Sequence, residues 1–232
     1  MSGKEKRIAL CTGCAAGALL LLFGVLIVLL RTVDVQAIGA GGTEIGLAAW
    51  NGAVRDAIGF HRVLYTVTGI IGYLTFAAPA FFVGLGGYQL IRRKSLRLVD
   101  ADIYLLGGVY LLTGAVYVLF EKVIINYRPV LLSAEPEASF PSSHTVLAVV
   151  LLGTAMAEIA YRIRVKWLLT MGECVCGALL LALVCGRFFS GVHWLTDILG
   201  GLLLGGALLL AFLSGATVFR ARKKETFPKE TF

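Results

Sequence analysis

Five ionisable side chains of the types that handle phosphate lie beside long apolar segments of this sequence. They are His144, His193, Arg128, Arg187 and Asp197. Ionisable residues are costly next to hydrocarbon, and where they persist they usually mark a functional site. Guanidinium groups match phosphate oxygens in shape and charge, and imidazoles exchange protons or attack electrophiles near neutral pH. The set therefore predicts phosphoryl-transfer chemistry.

Spacing and neighbouring residues predict individual roles. His193 and Asp197 are four residues apart, so on a helix they share one face and can hydrogen-bond. The carboxylate would fix the imidazole tautomer and leave the other ring nitrogen as a nucleophile, while His144 can protonate a leaving oxygen. A proline suited to a first helical turn precedes Ser142 and Ser143, where free amides would face an anion. No carboxylate cluster typical of a magnesium site accompanies them, so we expect neither metal nor cofactor.

Long apolar segments must hold these residues in place. Of the 232 residues, 58% are hydrophobic and only 15% are charged, whereas soluble domains carry about 25% charged residues. Runs of about 20 apolar residues can cross a bilayer as helices. Six spans are predicted at 8–30, 64–91, 101–122, 144–161, 167–186 and 194–219. The expected fold is all-α, a polytopic membrane protein with six transmembrane helices in a single domain over residues 1–232.

The basic residues predict the orientation of these spans. With six spans, four basic clusters fall on one side of the membrane, at residues 4–7, 92–97, 162–166 and 220–229. The positive-inside rule assigns that side to the cytoplasm. Both termini are then cytoplasmic, and the candidate phosphate site lies at the outer face of a multi-pass cell-membrane protein. The net charge of +7 is explained by topology, so we expect membrane lipids and no nucleic acid as partners.

The first outer connection, residues 32–63, contains a candidate interfacial helix between the first and second spans. From Thr43 onward, apolar residues recur near helical spacing while polar residues fall largely elsewhere, which is typical of a helix lying in the membrane interface. Such a helix is either a lid or guide for a lipid that enters sideways or merely a cap on the bundle, and the sequence leaves both roles open.

Glu173 is an ionisable residue inside the fifth predicted span. A residue of this kind is a functional candidate by default. No partner for it is evident in the sequence, and we expect a structural hydrogen bond or a protonated carboxyl group.

Three motifs in these segments resemble those of the type 2 phosphatidic acid phosphatase superfamily, integral membrane lipid phosphatases that share their site with vanadium haloperoxidases. The family pattern is Lys, six residues, Arg-Pro; then Pro-Ser-Gly-His; then Ser-Arg, five residues, His, three residues, Asp. The matching residues here are Arg128-Pro129, then Pro141-Ser142-Ser143-His144 with serine for glycine, then Arg187, His193 and Asp197. The resemblance covers residues 121–197, and the third motif is the most specific.

The resemblance implies a mechanism and a set of site residues. His193 would attack phosphorus to give a phosphohistidine, with Asp197 orienting its ring. His144 would protonate the leaving lipid oxygen and then activate water. The implied phosphate ligands are Arg128, Arg187, Ser142 and Ser143.

Besides Ser143 in place of glycine and Gly186 in place of the serine before Arg187, the lysine position departs from the family pattern. Lys122 lies six residues before Arg128 rather than seven, and Glu121 occupies the family position. One residue corresponds to about 100° of rotation on an ideal helix, although Pro129 disfavours helical geometry at Arg128 and the loop can absorb part of the difference. Lys122 is therefore kept as a candidate phosphate ligand, with an interfacial charge as the alternative.

Together these features predict a metal-independent lipid phosphatase that acts on a lipid phosphate or diphosphate at the outer membrane face. Undecaprenyl diphosphate is the first choice for a bacterial source, because its recycling needs an outward-facing phosphatase. Phosphatidylglycerophosphate and phosphatidic acid are the close alternatives. A lipid phosphotransferase and a non-catalytic phospholipid-binding protein are further alternatives. A transporter is disfavoured because the polar cluster lies at one membrane face and not at the midplane. The oligomeric state is left open.

Overall fold

The architecture is that of a computed structural model, which describes the backbone of residues 1–226 and the side chains of residues 1–222. Over that part of the chain the structure is all-helical, with two isolated antiparallel bridges and no β-strand. Six helical stretches are long and apolar enough to cross a membrane: Gly3–Thr32, Arg62–Arg93, Ala101–Lys122, Ser143–Arg162, Lys166–Phe189 and Leu195–Arg222. The predicted six-helix membrane fold is therefore confirmed. Of the fourth basic cluster, the side chains of Lys223 and Lys224 and all of Lys229 lie outside the described residues.

The spans differ in how they are built. In the described chain the α-helices are α1 (Gly3–Thr32), α2 (Ala48–Ile58), α3 (Arg62–Leu74), α4 (Ala77–Arg93), α5 (Ala101–Lys122), α6 (Ser143–Leu147), α7 (Gly153–Arg162), α8 (Lys166–Phe189) and α9 (Leu195–Thr226). Four spans consist of one helix each, namely α1, α5, α8 and α9. The second span combines α3 with α4, and the fourth combines α6 with α7. Helix α2 is the short helix predicted between the first and second spans.

Both composite spans have a local cause for their break. Between α3 and α4, the Thr75 hydroxyl donates to a carbonyl of the preceding turn at 2.7 Å. Pro79 follows in the first turn of α4 and has no amide hydrogen to continue the helical ladder. Between α6 and α7, Ala148–Leu152 form a π-helical turn, and its wider hydrogen-bond spacing changes the direction of the residues that follow. Hydropathy alone does not reveal either break.

Helix α9 contacts α1, α2, α5, α6, α7 and α8. Helix α1 runs along it, and the Ser214 hydroxyl of α9 donates to the Ala9 carbonyl of α1 at 2.8 Å. Near the other end of α9, the ring of Phe140 stacks on Phe23 of α1 with a centroid distance of 5.6 Å. The same ring lies over Gly200, where a Cβ atom would overlap it. The loop that precedes α6 is thereby anchored to α1 and α9.

Buried ion pairs hold the end of the bundle where α5 begins and α7 ends. Glu158 of α7 is fully buried and pairs with Arg162 Nε at 2.8 Å and with Arg220 of α9. Arg162 also pairs with Asp102 of α5 at 2.9 Å. These contacts connect α5, α7 and α9, and removing one partner of such a pair typically costs about 3–5 kcal/mol.

Helix α2 packs across the beginning of α9. Its first turn is capped by Asp34, whose carboxylate accepts a hydrogen bond from the Ala49 amide at 2.7 Å. This bond lowers the pKa of Asp34 below its ordinary value, and a second bond from Gln36 acts in the same direction. Ile45 and Ala48 are buried beneath the segment, so α2 is fixed at both its start and its inner face.

Candidate active site

Three chain segments meet where α5 ends and where α6 and α9 begin. They are residues 126–128, 142–144 and 187–197. The indole of Trp194 is almost fully buried and donates to the Tyr127 carbonyl at 2.6 Å. The Ser142 amide donates to the Asp197 carbonyl at 3.0 Å. These two bonds connect all three segments, so the predicted site residues lie together although they are far apart in the sequence.

Each imidazole of the site faces a guanidinium group. Arg187 Nη2 lies 2.5 Å from His144 Nε2, and Arg128 Nη1 lies 3.4 Å from His193 Nε2. An arginine only donates hydrogen bonds. The Nε2 atom of each histidine must therefore be the acceptor, which makes both rings neutral with the proton on Nδ1.

The His193 ring is oriented by Asp197 on its other side. His193 Nδ1 lies 3.5 Å from Asp197 Oδ2, and the same oxygen accepts from the Trp194 amide at 2.9 Å. Asn126 and Ser139 also face this carboxylate. Burial is the main cause that lowers the pKa of His193 well below its ordinary value, and the charges of the two nearby arginines add to it. A neutral imidazole with Nε2 directed into the cavity is the form a nucleophile requires.

Arg128 is held by a carboxylate that the motifs do not indicate. Glu137 Oε2 lies 3.2 Å from Arg128 Nε, and the Arg128 amide donates to the Glu137 carbonyl at 3.0 Å. This contact engages the guanidinium through Nε, and Nη1 points towards His193 and the Val192 carbonyl. Glu137 lies within an irregular loop without periodic pattern, so nothing in the sequence indicates this contact.

The second motif forms the start of α6, as its proline suggested. Ser142 is fully buried, and its hydroxyl accepts a hydrogen bond from Thr145 at 3.1 Å. Ser143 is the first residue of the helix and has no positive φ. A serine is therefore accommodated without backbone strain where the family pattern has glycine.

Two adjoining cavities reach the two histidines. The first is the smaller and is bordered by Arg128 and His193. The second is bordered by His144, by glycines and aromatic residues of α3 and α5, and by leucines of α6 and α8. Tyr117 and Ser143 border both. A phosphate group between the histidines would thus have Arg128 on one side and largely apolar space on the other.

The structure distinguishes the two residues considered for the lysine position of the family pattern, which both lie at the end of α5. Glu121 borders the first cavity together with Arg128 and His193. Lys122 is exposed, does not border that cavity, and takes part in no hydrogen bond or ion pair with the side chains described. The helix phase therefore directs the carboxylate of Glu121, and not the Lys122 ammonium, towards the candidate site. A role for Lys122 in phosphate binding stays a prediction.

Within residues 1–222, no three His, Cys, Asp or Glu side chains are close enough together to hold a metal ion. Glu173 is half-buried in α8, and the expected hydrogen bond to it is not found among the described contacts.

Two further residues contribute to the site without a sequence signal. Gly72 of α3 lies against the His144 ring, and the indole of Trp194, which resembles an interfacial aromatic in the sequence, is a buried cross-link.

Comparison with known proteins gives one family and one fold. The family model described as the PAP2 superfamily matches residues 102–220, a little more than half of the chain. A crystal structure of a transmembrane PAP2-type phosphatidylglycerolphosphate phosphatase from Bacillus subtilis is similar, with a TM-score of 0.60, 23% sequence identity and coverage of 93% of this chain and 98% of that one. At this identity the similarity shows the fold alone. None of the curated proteins compared with the chain matches it.

Proposed function

The chain belongs to the PAP2 superfamily, and from this premise we propose that it is a membrane lipid phosphatase that works through a phosphohistidine on His193. The observation that carries the proposal is the pairing of each imidazole with a guanidinium at 2.5 and 3.4 Å around adjoining cavities. Guanidinium groups hold phosphate oxygens, and the two neutral histidines then lie near the bound phosphorus. Residues 1–232 act as one domain, with the chemistry confined to residues 121–197.

The first step is attack by His193 Nε2 on phosphorus. The Nε2–P bond forms while the bond from phosphorus to the leaving oxygen breaks; in a lipid diphosphate this is the bridging oxygen, which departs with the lipid phosphate. Asp197 stabilises the positive charge that develops on the ring. Arg128 and Arg187 bind the equatorial oxygens together with Ser142 and amides near Ser143, where charge accumulates in the transition state.

His144 supplies and removes the protons. When phosphate oxygens take over the hydrogen bond from Arg187, His144 Nε2 is free to carry a proton, which passes to the leaving lipid oxygen. The neutral ring then accepts a proton from water, and the hydroxide attacks the phosphohistidine. The Nε2–P bond breaks, inorganic phosphate is formed, and His193 returns to its neutral state.

The substrate of first choice is undecaprenyl diphosphate, cleaved at the outer membrane face with both termini in the cytoplasm. The apolar cavity next to His144 supports a lipid leaving group, because the general acid must lie on the side of the departing oxygen. Phosphatidylglycerophosphate is the principal alternative, supported by the activity named for the Bacillus subtilis protein of the same fold, and phosphatidic acid is the next.

Phosphate release by detergent-purified protein in EDTA tests this proposal. Undecaprenyl diphosphate, phosphatidylglycerophosphate and phosphatidic acid are supplied in turn to wild type, His193→Ala and a matched control, His61→Ala. The His61 side chain is exposed, and its ring bonds to the Ile58 carbonyl. We expect release in EDTA by wild type and the control and at least a 10³-fold loss in His193→Ala.

Four outcomes would contradict parts of the proposal. Equal release by His193→Ala would exclude the phosphohistidine, and loss of release in EDTA would exclude a metal-independent reaction. Lipid binding without release from any of the three substrates would favour a non-catalytic phospholipid-binding protein. Transfer of phosphate to an added alcohol instead of water would identify a phosphotransferase.

A further inference from the structure

Asn51 of α2 forms a buried polar contact with the first turn of α9. The side chain is fully buried. Its Nδ2 donates to the Gly46 carbonyl at 2.9 Å and to Thr196 Oγ1 at 3.0 Å. Its Oδ1 accepts from the Thr196 amide at 3.3 Å and lies 3.2 Å from the Thr196 hydroxyl. The two residues are 145 positions apart in the chain.

The amides of the first turn of α9 need acceptors from outside the helix. The first four N–H groups of any α-helix have no partner within it. The Asp197 carboxylate accepts from the amide of Trp194, the residue just before α9, and Asn51 accepts from the Thr196 amide within the first turn. Asparagine is among the best capping residues. Here the amide group comes from a separate helix, so α2 completes the cap of α9.

The capped turn carries the reacting pair. Thr196 is adjacent to Asp197, whose carboxylate lies 3.5 Å from His193 Nδ1. A turn that frays would change the distance and angle between this carboxylate and the ring. We propose that Asn51 is a positioning residue, which fixes the first turn of α9 and through it the orientation of His193. The inference rests on the proposed function, because it assigns Asn51 to the nucleophile of that reaction.

The anchoring of α2 supports this role. Asp34 caps its first turn, and Gly46 lies so close to the Leu30 backbone of α1 that a Cβ atom would overlap it. A residue that positions another must itself be held, and these contacts hold Asn51 from the side of α1. Of the two roles that the sequence left open for this helix, the contacts favour a cap of the bundle over a moving lid.

Activity measurements on Asn51→Ala test the proposal, with Asp56→Ala as a control on the exposed side of the same helix. We expect kcat to fall about tenfold in Asn51→Ala with KM within twofold, since misplacement of a reacting group by about 1 Å costs about 10²-fold in rate. The control should stay within twofold of wild type in both constants.

A double variant separates positioning from general weakening of the fold. If Asn51 acts through Asp197, adding Asn51→Ala to Asp197→Ala should change kcat by less than twofold, because residues that act as a unit are not additive. The same tenfold loss in both backgrounds would overturn the proposal. An Asn51→Ala protein with wild-type kcat would also overturn it.

A second pair of variants applies if Asn51→Ala does not fold. Asn51→Asp keeps an acceptor for the Thr196 amide, and a carboxylate is favourable at a helix N-terminus, whereas Asn51→Leu has similar size without an acceptor. We expect Asn51→Asp to retain at least a third of kcat and Asn51→Leu to lose about tenfold; equal values would overturn the proposal. Full activity of His193→Ala would contradict the proposed function instead, so the two failures are distinguishable.

Discussion

A methyl group added at Gly72 should displace the ring of His144. Gly72 is buried in α3, and a Cβ atom there would lie 2.9 Å from His144 Cδ2 and 3.3 Å from Nε2. Ordinary contact begins near 3.4 Å, so the ring must move by about half an ångström. The movement would weaken the 2.5 Å hydrogen bond between His144 and Arg187. It would also displace the ring nitrogen that donates the proton to the leaving oxygen.

The size of the effect follows from this displacement. A misplacement of about 1 Å lowers an enzymatic rate about 10²-fold, so half that distance should lower kcat about tenfold. A tenfold loss corresponds to about 1.4 kcal/mol of transition-state free energy. Alanine favours the helix over glycine by about 1 kcal/mol, which offsets the steric cost. We therefore expect Gly72→Ala to fold with an unchanged or higher melting temperature.

Gly69→Ala is the matched control for this prediction. It lies about one turn earlier in α3, and its Cβ atom would be 3.6 Å from Arg187 Nη2, an ordinary contact. Both variants are assayed for phosphate release at saturating substrate. The expected result is a tenfold lower kcat for Gly72→Ala and a value within twofold of wild type for Gly69→Ala. Wild-type activity of a folded Gly72→Ala protein would refute the assignment of His144 as the general acid in this geometry.

Three further predictions concern charges. Glu158→Ala should lower the free energy of unfolding in detergent by up to about 3 kcal/mol, because Arg162 and Arg220 each lose one carboxylate partner and keep Asp102. Glu173→Ala should change it by less than about 0.5 kcal/mol, and equal losses would contradict this. Glu121→Gln should tighten inhibition by inorganic phosphate about threefold, because it removes a like charge near the phosphate. Lys122→Ala should leave this inhibition unchanged, and weaker inhibition in Lys122→Ala would instead indicate that Lys122 binds the phosphate. His193 should remain neutral down to pH 6 in a histidine NMR titration, since burial lowers its pKa. The free energy of unfolding should fall as the pH falls through about 6.5, because there the imidazole gains a proton only in the unfolded state. Protonation of His193 near pH 6.5 in the folded protein would contradict this.

The sequence predicted the spans well because bilayer thickness imposes one strong rule on the chain. Long apolar runs and basic ends are counted directly, and all six runs are helical in the structure. The breaks inside the second and fourth spans were not predicted. A π-helical turn such as Ala148–Leu152 keeps an unbroken apolar composition, so hydropathy cannot distinguish it from a continuous α-helix.

The motifs predicted which residues would meet but not what holds them. His193 and Asp197 lie on one helix turn, a local relation that spacing encodes. The contact between Glu137 and Arg128 is equally close in the chain, but it belongs to an irregular loop whose path no periodicity defines. The bond from Asn51 to Thr196 joins residues 145 positions apart, and nothing in either local sequence points to the other.

The two arginines link the geometry of the site to the reaction proposed for it. Their charges, together with burial, lower the pKa of His193, so the nucleophile is neutral before substrate arrives. A phosphate that binds between them places negative charge beside both guanidiniums, and it competes with the imidazoles for the same N–H donors. Phosphate binding would therefore release both Nε2 atoms from their hydrogen bonds, one to attack phosphorus and the other to carry the proton. Because Glu137 lies beside Arg128 Nε, it leaves Nη1 of the guanidinium to the phosphate.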